Sequence, residues 1–388
     1  MKTLKLISRF VLGIVFTFSG FLKAVDPHGS EYIFNDYFVD AFKIPSFAAI
    51  ALPLAIILAS FEFLVGICLL FNLKPRLASL GALIFMIIFT PLTLYSAIYS
   101  PVKDCGCFGE AIKLTNWQTF IKNVIFLPLS IFLFIKTKGE TKSYKGQLDW
   151  ILAGAFFLLA LLFQYYNLEH LPVIDFMPYK VGTYIPDKMI IPAGKEADKY
   201  SVFYTEKHMK TGEIKEISDD EFLEQYGSGD TLWEVISASE PKLVKRGYTP
   251  PIYNFKAYPV DLNNMTASTP EDAMPKILEN ENYSFMVVSF DIKKANKRGL
   301  NKMSDLLNYA AVKNIETNFL TSSTTELTRY VVNINFGARY YNTDESTLKA
   351  VIRSNPGLLL LKKGKIIGKW HYNDIPGIKK FEGIINKN

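Results

Sequence analysis

Five long apolar runs, over about residues 5–25, 48–72, 77–99, 117–136 and 148–166, crowd into roughly the first 165 positions of this 388-residue chain. A membrane-spanning helix needs about 20 predominantly apolar residues, and each run meets or nearly meets that length. Charge or turn formers bound every run. Lys2, Lys5 and Arg9 precede or enter the first, and Lys74, Pro75 and Arg76 separate the second from the third. Lys136, Lys138, Lys142 and Lys145 fill the link between the fourth and fifth. If all five runs span, these basic clusters share one side. The opposite loops hold Asp26, Glu31, Asp36 and Asp40, then Asp104 and Glu110. Lys and Arg collect on the cytoplasmic side. The pattern therefore predicts a multi-pass protein of the cell inner (cytoplasmic) membrane with its N-terminus inside and residues 167–388 periplasmic. The first run starts basic, as a signal peptide does, but lacks an A-x-A cleavage pattern and reads as an uncleaved helix. The short fifth run decides the side of everything after it.

The formal net charge of +6 comes without a run of five or more like charges, so no nucleic-acid partner is expected. Membrane lipid and an exported or periplasmic protein are the expected partners.

Only three cysteines occur, and two of them, Cys105 and Cys107, stand one residue apart in "KDCGCFG" between the third and fourth runs. The predicted topology puts them outside, where disulfides persist. A bridge across one residue closes a very small ring, and poor geometry makes a bridge more reducible. Such a ring restrains little chain entropy, so stabilisation explains it poorly. Strained, exposed bridges are the labile or catalytic ones. The pair thus reads as a redox pair, with a structural bridge or turn and a metal site as alternatives. Two thiols without an adjacent histidine make a poor zinc site, and no metal is predicted. Cys68 lies near the inner end of the second run, about 30 Å from the outer surface at the helical rise, and reads as a small buried residue.

Glu62 sits mid-run, where an ionisable group is expensive and by default functional. One reading makes it a quinone or proton site, so that a quinone is the one cofactor the sequence raises. The other makes it a protonated side chain bonded to a serine or carbonyl of a neighbouring helix, Ser19 being one such group. Lys23, near the outer end of its helix, is expected to snorkel to the interface, and Lys122 to reach the headgroups.

Beyond about residue 166 charges return, and Gly, Pro, Asp and Asn punctuate the chain. "SVFYTEKH" and "GEIKEIS" read as paired short strands, and "GYTPPIYNF" as a linker. From about residue 256 the order is clearer: strand "YSFMVVSFD", amphipathic helix "KRGLNKMSDLLNYAAVKN", strand "IETNFLTSS", helix "TELTRYVVNI" and strand "ARYYN". A helix near 344–353 follows, then Asn355-Pro356, a strand, a Lys363-Gly364 turn and a partner strand.

Two resemblances follow from these residues. The DCGCFG stretch, with Lys122-Asn123 in the next helix, resembles the methylamine utilisation MauE family within the wider DoxX-like group. "FSGFLKAVDP" and "FEFLVGICLL" are similar to the first two helices of that group. The resemblance covers about residues 1–140. It implies a four-helix bundle related in style to membrane disulfide-forming enzymes, with a role in redox maturation of exported proteins. Residues 255–388 resemble the thioredoxin-like fold, with Pro356 where that family has its cis-proline. The departure is that the first strand leads into Asp291-Ile-Lys-Lys-Ala-Asn296, and the chain has no cysteine beyond Cys107. A thiolate is the nucleophile of thiol exchange, so this domain cannot perform it alone. Pro356 is then expected to hold a partner.

The expected fold class is an α-helical membrane bundle, DoxX-like with a fifth span, followed by a soluble α/β thioredoxin-like domain. The domains are 1–140 (four-helix bundle), 148–166 (fifth helix), 167–254 (small mixed or β-rich segment) and 255–388 (degenerate thioredoxin-like domain). The expected function is extracytoplasmic thiol–disulfide redox through Cys105 and Cys107, as an oxidoreductase or an accessory to one. The alternative is a non-catalytic membrane-anchored module whose outer domain recruits a partner.

Overall fold

The computed structural model describes every residue except 1, 101, 103–105, 139–145, 228, 230–231, 246, 262–270, 332–336 and 387–388. Asp104, Cys105, Lys142 and Lys145 lie outside the described residues, as does the end of the stretch "TELTRYVVNI".

The N-terminal region is helical: α1 (Lys2–Val25), α2 (Pro27–Asp36), a π-helical turn (Tyr37–Ala41), a 3₁₀ turn (Pro45–Ile50), α3 (Ala51–Leu70), α4 (Pro75–Tyr99), α5 (Asn116–Lys136) and α6 (Leu148–Glu169). Five are long and apolar enough to cross a membrane: α1, α3 with its preceding 3₁₀ turn, α4, α5 and α6. They coincide with the five runs.

Lipid offers no hydrophobic drive for helix association, so close backbone approach and interhelical hydrogen bonds hold such bundles together. Both devices are present. A Cβ on Gly66 would lie 2.2 Å from the Thr17 nitrogen, and one on Gly20 would lie 2.4 Å from that of Phe63, so α1 and α3 meet backbone to backbone. The Gln164 amide donates to Ser60 Oγ (2.7 Å), tying α6 to α3, and that of Asn167 donates to the Ala24 carbonyl (3.2 Å), tying α6 to α1. Ser79 and Thr137 hydroxyls, 2.7 Å apart, join the end of α5 to the start of α4.

The α-helix of this region absent from the sequence reading is α2. Asp26 caps it by accepting from the Gly29 N–H (2.9 Å), and Pro27 occupies its first turn. At ten residues and mostly polar, α2 shows too little periodicity to stand out from a loop.

The remainder contains sheets. It runs α7 (Ile185–Met189), β1 (Lys199–Ser201), β2 (Phe203–His208), β3 (Ile214–Ser218), α8 (Asp219–Gly227), β4 (Trp233–Ala238), β5 (Lys242–Lys245), β6 (Tyr258–Pro259), α9 (Met274–Glu279), β7 (Tyr283–Ser289), α10 (Lys297–Val312), β8 (Glu316–Thr321), α11 (Thr324–Val331), β9 (Arg339–Asn342), α12 (Glu345–Val351), β10 (Gly357–Lys362), β11 (Lys365–His371) and α13 (Ile378–Ile385). β2 pairs with β3 as expected, and β4 adds on its other edge. β1 and β5 form a separate antiparallel pair.

The main sheet has the order β11-β10-β7-β8-β9-β6, parallel from β7 to β9 and antiparallel at both flanks. Successive side chains of a strand point to opposite faces, and both faces here are covered. Phe285 and Val287 pack with Leu300, Met303 and Leu307 of α10 and Phe381 of α13. Met286 and Val288 pack with Met274 of α9 and Leu348 of α12. Lys363 and Gly364 both have positive φ (48° and 69°), the geometry of the two-residue turns that match strand twist. The short elements β6, α9 and α13 were not anticipated from sequence. Phe381 is the one fully buried side chain of α13, too little to mark a face.

The sheet region joins the bundle at the end where α1 finishes. Arg353, just after α12, meets Asp26 at the head of α2: Nε lies 3.1 and 3.0 Å from the two carboxylate oxygens, and Nη2 lies 2.9 Å from Oδ2. Both side chains are buried, at 6% and 8% exposure. Burial alone would raise the Asp26 carboxyl, but the Arg353 guanidinium overrides it and holds the group below its ordinary range. Asn373 donates to the Glu169 carbonyl (2.8 Å), and His170 Nδ1 lies 2.7 Å from Asp374.

Two predictions follow from this architecture. Gly66→Leu drives a side chain into the α1 backbone and should cost about 1–3 kcal/mol, read as a lowered unfolding midpoint in detergent. His371 is buried at the joint, and burial pushes its pKa down to about 4 against the pull of Asp374. The unfolded chain therefore takes up this proton first. The stability gained from a neutral His371 is whole above the ordinary value of 6.5 and is lost as pH falls towards about 4. Unfolding curves of His371→Gln should decline less steeply than wild type across that window.

Candidate functional site

The cysteine loop is closed by local chemistry. The Asn116 amide donates to the Val102 carbonyl (3.1 Å), and Thr115 with Gln118 forms a capping box that starts α5. Gly106 and Gly109 both adopt positive φ (60° and 53°), and the Gly109 N–H donates to the Gly106 carbonyl (3.0 Å) in a tight turn around Cys107. A Cβ on Gly106 would lie 2.1 Å from Ile33 Cδ1, so the loop presses against α2 at a position whose positive φ favours glycine.

Inside this loop the bundle holds a cavity of about 80 Å³. Its walls are largely apolar, with Phe16, Phe34, Phe85, Phe89 and Phe126 contributing rings. Its polar groups are few: Ser19 and Lys23 from α1, Ser30 from α2, Glu62 from α3, Thr93 from α4, and Lys122 and Asn123 from α5. Tyr37 and the half-buried Cys107 also line it. Few convergent polar groups in an apolar concavity are what ligand sites have in common.

A hydrogen-bonded chain runs along one wall. The Ser19 hydroxyl donates to the Cys107 carbonyl, Lys23 Nζ donates to Ser19 Oγ (3.0 Å), and the same ammonium meets Glu62 Oε2 at 2.6 Å. Lys23 therefore turns inward, where snorkelling was expected. Glu62 is partnered by an ammonium, where Ser19 was one expected partner; Ser19 is one link further along. The cause is positional: Lys23 lies four residues beyond Ser19, one turn along α1, on the face that meets α3. Lys122 stacks its ammonium 4.6 Å from the Phe108 ring, and Asn123 donates to Thr93 Oγ1 (3.1 Å).

The structure thus brings Cys107 and Glu62 to one cavity. Cys105 lies outside the described residues. Pro356 stands apart from the cavity. Its peptide bond with Asn355 is cis, it is buried, and the Ser354 hydroxyl donates to its carbonyl. The Asn355 amide donates to the Asp291 carbonyl (2.7 Å) and accepts from Ser289 Oγ (2.8 Å), holding the loop before α10 against Pro356. Among the described residues no group of three or more His, Cys, Asp or Glu has the geometry to hold a metal ion. Sequence reasoning missed Lys23 as a partner and Arg353 altogether. For Lys23 the available signal was its spacing from Ser19.

Removing one member of a buried pair leaves an uncompensated charge, at a cost of about 3–5 kcal/mol. Lys23→Met should therefore destabilise the bundle by that order, and Lys23→Met/Glu62→Leu should recover most of the loss. Unfolding in detergent, compared across the two variants and wild type, reads the difference.

Residues 1–136, which span α1 to α5, match the family model described as Methylamine utilisation protein MauE, while no curated protein and no solved structure matches the chain.

Proposed function

We propose that this membrane protein supports thiol–disulfide chemistry on exported proteins, with Cys105 and Cys107 as the exchanging pair. The observation that carries the reading is that Cys107 and the intramembrane Glu62 line the same cavity. In the forward direction a thiolate of an exported dithiol attacks one sulfur of the Cys105–Cys107 bridge. A mixed disulfide forms, the second exported thiolate resolves it, and the pair is left as a dithiol. Restoring the bridge requires removal of two electrons and two protons. A membrane quinone bound in the cavity would supply a two-electron, two-proton acceptor. The aromatic walls suit its ring, and the Lys23 ammonium and Asn123 amide are donors that suit its oxygens. Glu62, ion-paired to Lys23, stands where a proton could be held and passed on.

This reading places the chain in the cytoplasmic membrane with its N-terminus inside and the sheet region periplasmic. Residues 1–140 act as a DoxX-like bundle, and residues 255–388 as a thioredoxin-like domain without a thiol pair. The lack of cysteine beyond Cys107 supports a second role for that domain, recruitment of an exported partner near Pro356. In the non-catalytic alternative, recruitment is the whole function.

Two experiments test the proposal. A membrane-impermeant maleimide applied to intact spheroplasts should label reduced Cys107 and leave Cys68 unlabelled; labelling of Cys107 only after lysis defeats the topology. Replacing Cys105 and Cys107 by serine should leave the protein inserted and abolish complementation of a deletion strain, with reduced exported proteins accumulating. Full complementation by that double variant would leave the anchor reading standing.

A further inference from the structure

Helix α2 has two working faces. Towards the sheet region it presents Asp26 at its cap and Tyr32, whose ring lies 4.6 Å from Lys349 Nζ and 5.2 Å from the Arg353 guanidinium. Towards the bundle it presents Ser30, Ile33 and Phe34, which form part of the cavity wall. Ile33 also abuts Gly106, the residue before Cys107. No long apolar stretch anchors α2, and only Pro27, Gly29 and Ser30 are buried within it.

We infer that Arg353 is a positioning residue for the cavity: by holding Asp26 and Tyr32 it seats α2 as the wall that covers Cys107, and releasing it exposes the site. The inference extends the proposed function but rests only on the geometry of α2, so it stands or fails independently of whether Cys107 exchanges thiols. The contact is specific in its chemistry. A guanidinium engages both carboxylate oxygens, and that carboxylate also accepts the Gly29 N–H that starts the helix. Loss of Arg353 thus loosens the docking and the first turn of α2 together. Arg353 itself is anchored on its own side by donating to the Lys349 carbonyl, so it moves with α12 and the sheet.

The test uses the full chain in lipid nanodiscs. Arg353→Gln releases the contact, and Asp26→Asn/Arg353→Gln does so without stranding a buried charge. Segment-resolved hydrogen exchange should show residues 27–36 losing protection in both variants while β7 keeps its own. With Cys68 and Cys105 replaced by serine in wild-type and variant backgrounds, maleimide labelling of Cys107 should accelerate about tenfold, as expected when a covering segment opens locally. Arg353→Lys, which retains the charge, should recover part of the protection. Unchanged α2 protection, an unchanged Cys107 labelling rate, or loss of protection in β7 together with α2 would each overturn the inference. The last result would make the pair a general stabiliser of the sheet region.

Discussion

The ion pair between Asp26 and Arg353 decides how the two halves of this protein meet. Charged groups are expensive to bury, and a pair persists only when its geometry satisfies nearly every donor and acceptor. Here the carboxylate receives two guanidinium nitrogens and a helix-capping N–H, while a further guanidinium N–H reaches the Lys349 carbonyl. The placement of α2 follows from that knot. Asn373 with Glu169 and His170 with Asp374 fasten the same joint from the end of α6.

The cavity repeats the same physics within the bundle. Lys23 and Glu62 neutralise one another, which is how intramembrane charges are generally accommodated. Ser19 then connects the pair to the backbone of the cysteine loop. Two hydrogen bonds thus join the Lys23 ammonium to the Cys107 backbone carbonyl, and Glu62 stands one contact further along the same chain. Glu62 and Cys107 line one shared space, the feature on which the proposed redox reading rests.

Much of the architecture was legible in the sequence, for reasons that can be located. The five spans were legible because a bilayer demands a long apolar stretch. Strands β7 and β10 were legible because they are apolar runs of strand length, and β11 because the Lys363-Gly364 turn after β10 calls for a partner strand. Glu62 and Cys107 each stood out on chemical grounds, but their meeting did not, because nothing local says which helix faces which. Lys23 was misread for the same reason: snorkelling is the default of an isolated helix, and α3 supplies a carboxylate that an isolated helix lacks. Arg353 lies in "VIRSNP", where a single arginine carries no pattern. Its partner is separated from it by 327 positions.

That separation has a consequence for how the molecule is made. At about 5–20 residues per second, roughly 15–65 s of synthesis pass between the emergence of Asp26 and that of Arg353. The bundle helices are handed to the membrane throughout that interval, while the carboxylate at the head of α2 still has water for company. The cavity can thus be assembled as a shell with one wall unlatched, and it receives its final fastening only from the last tenth of the chain. Ribosomal order therefore places the closing of this contact after the synthesis of every bundle helix.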